Sequence, residues 1–72
     1  MVSNPQRRTA LLDAAIEVLA AQGARGLTFR AVDIQGEVPT GTASNYFAGR
    51  DDLLRQAAEH VFVRLSPGPD YE

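Results

Sequence analysis

The chain has 72 residues and a formal net charge of −2, from seven basic and nine acidic side chains, with no cysteine and no tryptophan. So short a chain supports one small core and buries only about 60% of its unfolded surface. Disulfides and thiolate metal sites cannot reinforce that core, and mostly helical packing is the least demanding solution. No apolar run approaches the ~20 residues of a membrane span. Arg7 and Arg8 before an Ala/Leu-rich stretch mimic a signal peptide, but Asp13 and Glu17 interrupt that stretch. A soluble, cytoplasmic protein is therefore expected.

In chain order, residues 1–4 read as a short arm. Asn4-Pro5 is a helix start, with a side-chain acceptor at the N-cap and proline where its missing N–H is not needed. Leu11, Leu12, Ala15, Ile16, Val18 and Leu19 then recur at helical spacing up to Gly23, a glycine stop. This predicts a first helix over about 5–22. Thr28 is a plausible N-cap for a second, short helix over 29–35 with Val32 inward. Gly36-Glu37-Val38-Pro39 interrupts, and a third short helix is expected from Thr40 to Phe47. After Ala48-Gly49, Asp51 and Asp52 place negative charge where a helix start favours it. Leu53, Leu54, Ala57, Ala58, Val61, Phe62 and Leu65 carry a fourth helix to about residue 65, ended by Pro67 and Pro69. No window alternates with period two for long enough to make a strand. The expected architecture is all-α, a four-helix arrangement in residues 1–65, followed by a Pro/Gly-rich acidic tail at 66–72.

The charge balance is mildly against a nucleic-acid partner. Asp70 and Glu72 lie in that tail, however, and without them the body carries seven charges of each sign. All seven cations are arginine, whose planar fork suits phosphate and guanine edges. Eleven alanines in the same chain point to coding bias for that choice.

The two short helices and their turn fit a helix-turn-helix, in which one helix braces a second that projects into the DNA major groove. Val32, Val38, Ala43 and Phe47 fall at inward positions. Thr40, Gly41, Ser44 and Asn45 form one outward stripe of small polar groups. A helix facing only water would carry Glu, Lys and Gln for propensity. A helix pressed against base edges and phosphates would carry this stripe, and the same close approach would account for Gly41.

Residues 7–64 resemble the N-terminal DNA-binding domain of the TetR (tetracycline-repressor) family of bacterial transcription regulators. Leu11, Ala14, Ala15, Gly23 and Leu27-Thr28-Phe29-Arg30 carry the resemblance, with Val38-Pro39-Thr40-Gly41-Thr42-Ala43-Ser44-Asn45-Tyr46-Phe47 and Arg50-Asp51-Asp52-Leu53-Leu54 the most specific stretches. The resemblance implies that Thr28 and Arg30 reach phosphate and that Thr40, Gly41, Ser44 and Asn45 face bases, with Thr42 nearby. Tyr46 and Arg50 would contact phosphate, and Arg7 and Arg8 would add contacts from the start of the first helix. It also implies double-stranded DNA, as a palindromic operator half-site, for partner. Dimerisation and a small-molecule effector would belong to a C-terminal domain that these 72 residues do not contain, so that this chain alone is a monomer. Two positions depart from the pattern. The helix-turn-helix glycine commonly stands where Glu37 is. Either Glu37 adopts a positive φ, at on the order of 1 kcal/mol, or the turn shifts to use Gly36. The family commonly has a small residue where Asp33 is, so Asp33 is expected to add negative charge near the DNA face.

No cofactor, catalytic residue or metal site is expected. His60 has no partner set for a metal and reads as a structural histidine. Asp51 and Asp52, about 100° apart on a helix, suit a helix start better than carboxylate catalysis. Ser44 has no histidine in reach to activate it. The competing reading is a small helical protein-interaction module using the Ala/Leu surface of the last helix.

Overall fold

Three α-helices, α1 (Pro5–Gln22), α2 (Phe29–Gln35) and α3 (Arg50–Leu65), carry the fold in a computed structural model that describes residues 4–65. Two 3₁₀ turns, Ala24–Gly26 and Ala43–Asn45, complete the element order, and there is no strand among the described residues. Both the expected arm, apart from Asn4, and the expected acidic tail lie outside the described residues. The first helix begins as its sequence implies. Asn4 is extended, and its side-chain oxygen accepts from the amides of Gln6 and Arg7 at 3.0 and 3.1 Å. Gly23 ends it at φ 77°, donating its amide to Leu19.

The four-helix expectation is corrected to three. The stretch from Thr40 to Phe47 does not form an α-helix. Its bonds are mostly of the i→i−3 type, from Thr42 to Pro39, Asn45 to Thr42 and Tyr46 to Ala43, and only Phe47 reaches back four residues to Ala43. Gly41, at φ 99°, breaks the helical backbone at its start. That conformation, one that L side chains rarely adopt, requires glycine at position 41 in the free chain without any approach to DNA.

α1 packs against both α2 and α3. Leu11, Ala15 and Val18 of α1 meet Leu27, Val32, Ala43, Phe47, Leu53 and Ala57 in one core. The predicted inward residues Val32, Ala43 and Phe47 are buried, and Val38 packs partly buried against them. Toward its far end α3 leaves this core, and Phe62, Val63 and Leu65 stand exposed. Between these helices His60 Nε2 lies 2.9 Å from Asp13 Oδ1, which Arg64 also approaches at 3.5 Å. His60 is thus a half-buried structural histidine tying α3 to α1.

Candidate nucleic-acid interface

The helix-turn-helix is built around the end of α2. Thr28 caps that helix, its hydroxyl oxygen accepting from the amide of Ala31 at 3.0 Å. At the other end Glu37 donates its amide to Ile34 O, and Val38 donates to Asp33 O, at 3.1 and 3.0 Å. These two bonds are a Schellman motif, whose left-handed position is usually glycine. Here Glu37 occupies it at φ 59°, while Gly36 stays in the right-handed helical region at φ −83°. Of the two alternatives for the turn, the chain takes the strained one. Gly36 is still closely packed, since a Cβ there would sit 3.2 Å from Val32 O and 3.5 Å from Ala14 Cβ.

Asp33 does not stand on the outer face, where its charge would meet DNA directly, but is 1% exposed behind the recognition segment. Its carboxylate accepts from the amide of Gly41 at 2.7 Å and from that of Ala43 at 2.8 Å. Those amides start the helical turn that follows and have no preceding turn to bond to. A buried carboxylate on α2 thus caps the recognition segment from outside it. The signal present in the sequence was an Asp on an inward-facing position next to Val32, a place where burial demands partners.

On the outside of this segment Thr40, Ser44 and Asn45 are exposed and Gly41, Thr42 and Tyr46 are half-buried. Three of the four residues of the expected stripe, Thr40, Ser44 and Asn45, are therefore open to a partner, and Gly41 is half-covered. Two hydroxyls also act locally. Thr42 Oγ1 donates to Pro39 O at 2.7 Å, and Ser44 Oγ donates to Gly41 O at 2.8 Å. Both keep their oxygen lone pairs free to accept from a ligand.

The predicted cations divide. The side chains of Arg30 and Arg7 are exposed and make no hydrogen bond or ion pair among the described residues. Arg8 and Arg50 are engaged inside the domain. Arg50 Nε donates to Leu27 O at 2.9 Å and its Nη2 to Ala24 O, pinning the start of α3 to the connector between α1 and α2. Arg8 donates from Nη1 to Gln56 Oε1 at 2.7 Å and from Nη2 to Tyr46 O at 3.2 Å. Its guanidinium also lies 5.8 and 5.3 Å from the ring centres of Tyr46 and Phe47. These roles depend on residues 23 to 48 positions away in the chain, so nothing local announced them. Asp52 begins α3 as expected. The Ala48 amide donates to its carboxylate at 2.9 Å, and that bond, followed by the Gln56 side-chain amide and Arg55, holds the carboxyl below its ordinary value.

Residues 11–57 match the family model for bacterial regulatory proteins of the tetR family. The chain belongs to the TetR family. It is also similar to the HTH-type transcriptional regulator BetI of Burkholderia thailandensis and to that of Burkholderia cenocepacia. Each is 34% identical over 59 residues, which cover 82% of this chain and 30% of the relative. The match falls on the helix-turn-helix, and residues 11–57 are a DNA-binding domain of a TetR-family transcription regulator. The chain spans less than a third of the length of these relatives. No helix among the described residues is long and apolar enough to cross a membrane.

Proposed function

We propose that this domain reads one half-site of a palindromic operator in a bacterial regulator that acts as a repressor in the cytoplasm. The reading rests chiefly on the exposed stripe of Thr40, Ser44 and Asn45, short polar side chains on a segment whose opposite face is fixed in the core. In it Thr40, Ser44 and Asn45 face base edges, with Gly41 and Thr42 beside them. Phosphate contacts come from Thr28, Arg30 and Tyr46 and from the Nη1 group that Arg50 keeps free of its two carbonyl bonds. Bases specify and phosphates position. Dimerisation and the response to a small molecule belong to a further domain of the whole protein. The exposed Phe62, Val63 and Leu65 at the end of α3 are consistent with one packing there.

An electrophoretic shift with excess non-specific competitor tests this reading against a protein-interaction module. Single Thr40→Ala, Ser44→Ala and Asn45→Ala substitutions change which sequence is preferred. Arg30→Ala weakens binding to every sequence and lowers the slope of log K against log[salt] by about 0.9. Failure of the chain to shift any duplex in the presence of competitor would support the interaction module instead.

A further inference from the structure

The recognition segment cannot hold its own shape. Its regular part is the three residues of a 3₁₀ turn, entered through a glycine at φ 99°. So few i→i−3 bonds do not offset the cost of fixing the backbone, since even an α-helix of that length fails to nucleate. Two side chains from elsewhere in the chain reach its two ends. At the start, the Asp33 carboxylate takes the Gly41 and Ala43 amides at 2.7 and 2.8 Å. At the end, Arg8 donates to Tyr46 O and to Gln56 Oε1. Gln56 Nε2 in turn donates to the Asp52 carboxylate, at 3.1 and 3.2 Å to its two oxygens, and that carboxylate accepts from the Ala48 amide. One relay of side chains therefore closes on Tyr46 O and Ala48 N–H, the backbone groups on either side of Phe47.

Each end receives the polarity it lacks. Free amides meet an anion, and a free carbonyl meets a cation. Neither Asp33, buried and negative, nor Arg8, half-buried with both Nη groups engaged, is arranged to touch DNA. We propose that Asp33 and Arg8 are positioning residues for sequence readout, a two-ended clamp that holds Thr40, Ser44 and Asn45 in the one pose that matches base edges. The proposal rests on the DNA-binding reading of the same segment. Releasing either end lets the segment sample other conformations, and the apparent Kd for a specific site rises by the inverse of the competent fraction. Binding to non-specific DNA, which needs only phosphate contacts, does not share that dependence.

The test uses the whole chain and the variants Asp33→Asn, Asp33→Ala, Arg8→Lys and Arg8→Gln. Amide hydrogen exchange is followed without DNA. Affinity is then measured for a duplex that the wild-type chain selects from a randomised pool, and for poly(dI-dC), each as a function of salt. In the wild type the Gly41 and Ala43 amides are protected. Asp33→Ala abolishes that protection while core amides of α1 and α3 keep theirs, and the ratio of specific to non-specific affinity falls about tenfold or more. Asp33→Asn, with one acceptor oxygen left, falls between, which keeps the comparison available should Asp33→Ala fail to fold. Arg8→Lys, which retains the charge but not the fork, lowers the ratio with an unchanged salt slope. Two results overturn the clamp: rapid exchange of Gly41 and Ala43 in the wild type, or an Arg8→Gln variant that loses about 0.9 of salt slope with its affinity ratio intact, which would make Arg8 a phosphate contact. Should the wild-type chain select no duplex, the DNA reading falls, and the amide exchange still decides whether Asp33 orders the segment.

Discussion

Glu37→Gly removes the one non-glycine residue held at positive φ among the described residues. At φ 59° an L residue sits in the left-handed region at a cost of roughly 1–2 kcal/mol. Glycine relieves that cost but gives the unfolded chain more freedom, which takes back roughly 0.5–1 kcal/mol. The Glu37 side chain is exposed and has no hydrogen bond or ion pair among the described residues, so no contact offsets the balance. The net expectation is a gain of about 0 to 1.5 kcal/mol. For a domain of this size 1 kcal/mol corresponds to a rise of about 4–8 °C in Tm. Thermal unfolding followed by far-ultraviolet circular dichroism measures it, with Glu37→Ala as control. Alanine keeps the strained φ and leaves Tm within a few degrees of wild type. DNA binding by the Glu37→Gly variant strengthens as well, because a negative charge leaves the turn beside the recognition segment. A clear fall in Tm for Glu37→Gly would refute the strain argument and show that the glutamate side chain makes a native interaction.

Arg50→Lys, though it conserves charge, lowers Tm because an ammonium cannot bond Leu27 O and Ala24 O from a planar fork; the loss is about 1 kcal/mol, and a Tm equal to wild type would deny Arg50 its strut role. Arg50→Ala adds to that a fall of about 0.9 in salt slope if Nη1 reaches phosphate, and its binding to all sequences weakens together. Asp52 has a carboxyl held below its ordinary value of 3.8, chiefly by the Ala48 amide. Its folded form therefore binds its proton less readily than the unfolded chain, so its contribution to stability is complete above that value and is lost as pH falls below it. Asp52→Asn accordingly flattens the dependence of Tm on pH below about pH 4, and an unchanged profile would remove Asp52 from the acid transition. Joining two copies by a flexible linker raises affinity by ~10²–10⁴ on duplexes with two correctly spaced half-sites, and not on single ones. Nanomolar binding of the single chain to one half-site would contradict the view that the whole protein's partner subunit supplies most of its working affinity.

What was legible in the sequence follows the range of the forces involved. The cap at Asn4, the stop at Gly23, the Thr28 cap and the apolar stripe of α1 are set by neighbours within four residues and appear as expected, whereas the α3 stripe is buried only at Leu53 and Ala57, with Ala58, Phe62 and Leu65 exposed. Glu37 was visible as a residue in a glycine's place, though not which of two turns it would accept. The recognition segment departs from the expected helix at Gly41, whose φ of 99° breaks the helical backbone and whose amide is held by Asp33, eight residues away. Asp33 and Arg8 were read by charge alone, as a repulsive acid and a phosphate-seeking base. Their partners stand 8 to 48 residues away, and only the packing of α1, α2 and α3 brings the pairs together. The relation of Arg50 to Leu27 and Ala24 was hidden for the same reason.

The claim that residues 40–45 read DNA sequence is tested most directly by selection from a randomised duplex pool. The wild-type chain is carried through selection in parallel with the triple variant Thr40→Ala, Ser44→Ala, Asn45→Ala, at fixed salt and with circular dichroism confirming that both are folded. The account predicts that the wild type enriches one short motif and that the variant loses or changes it while its binding to bulk DNA persists through the phosphate contacts. Enrichment of the same motif by both chains, or of none by the wild type, would contradict it.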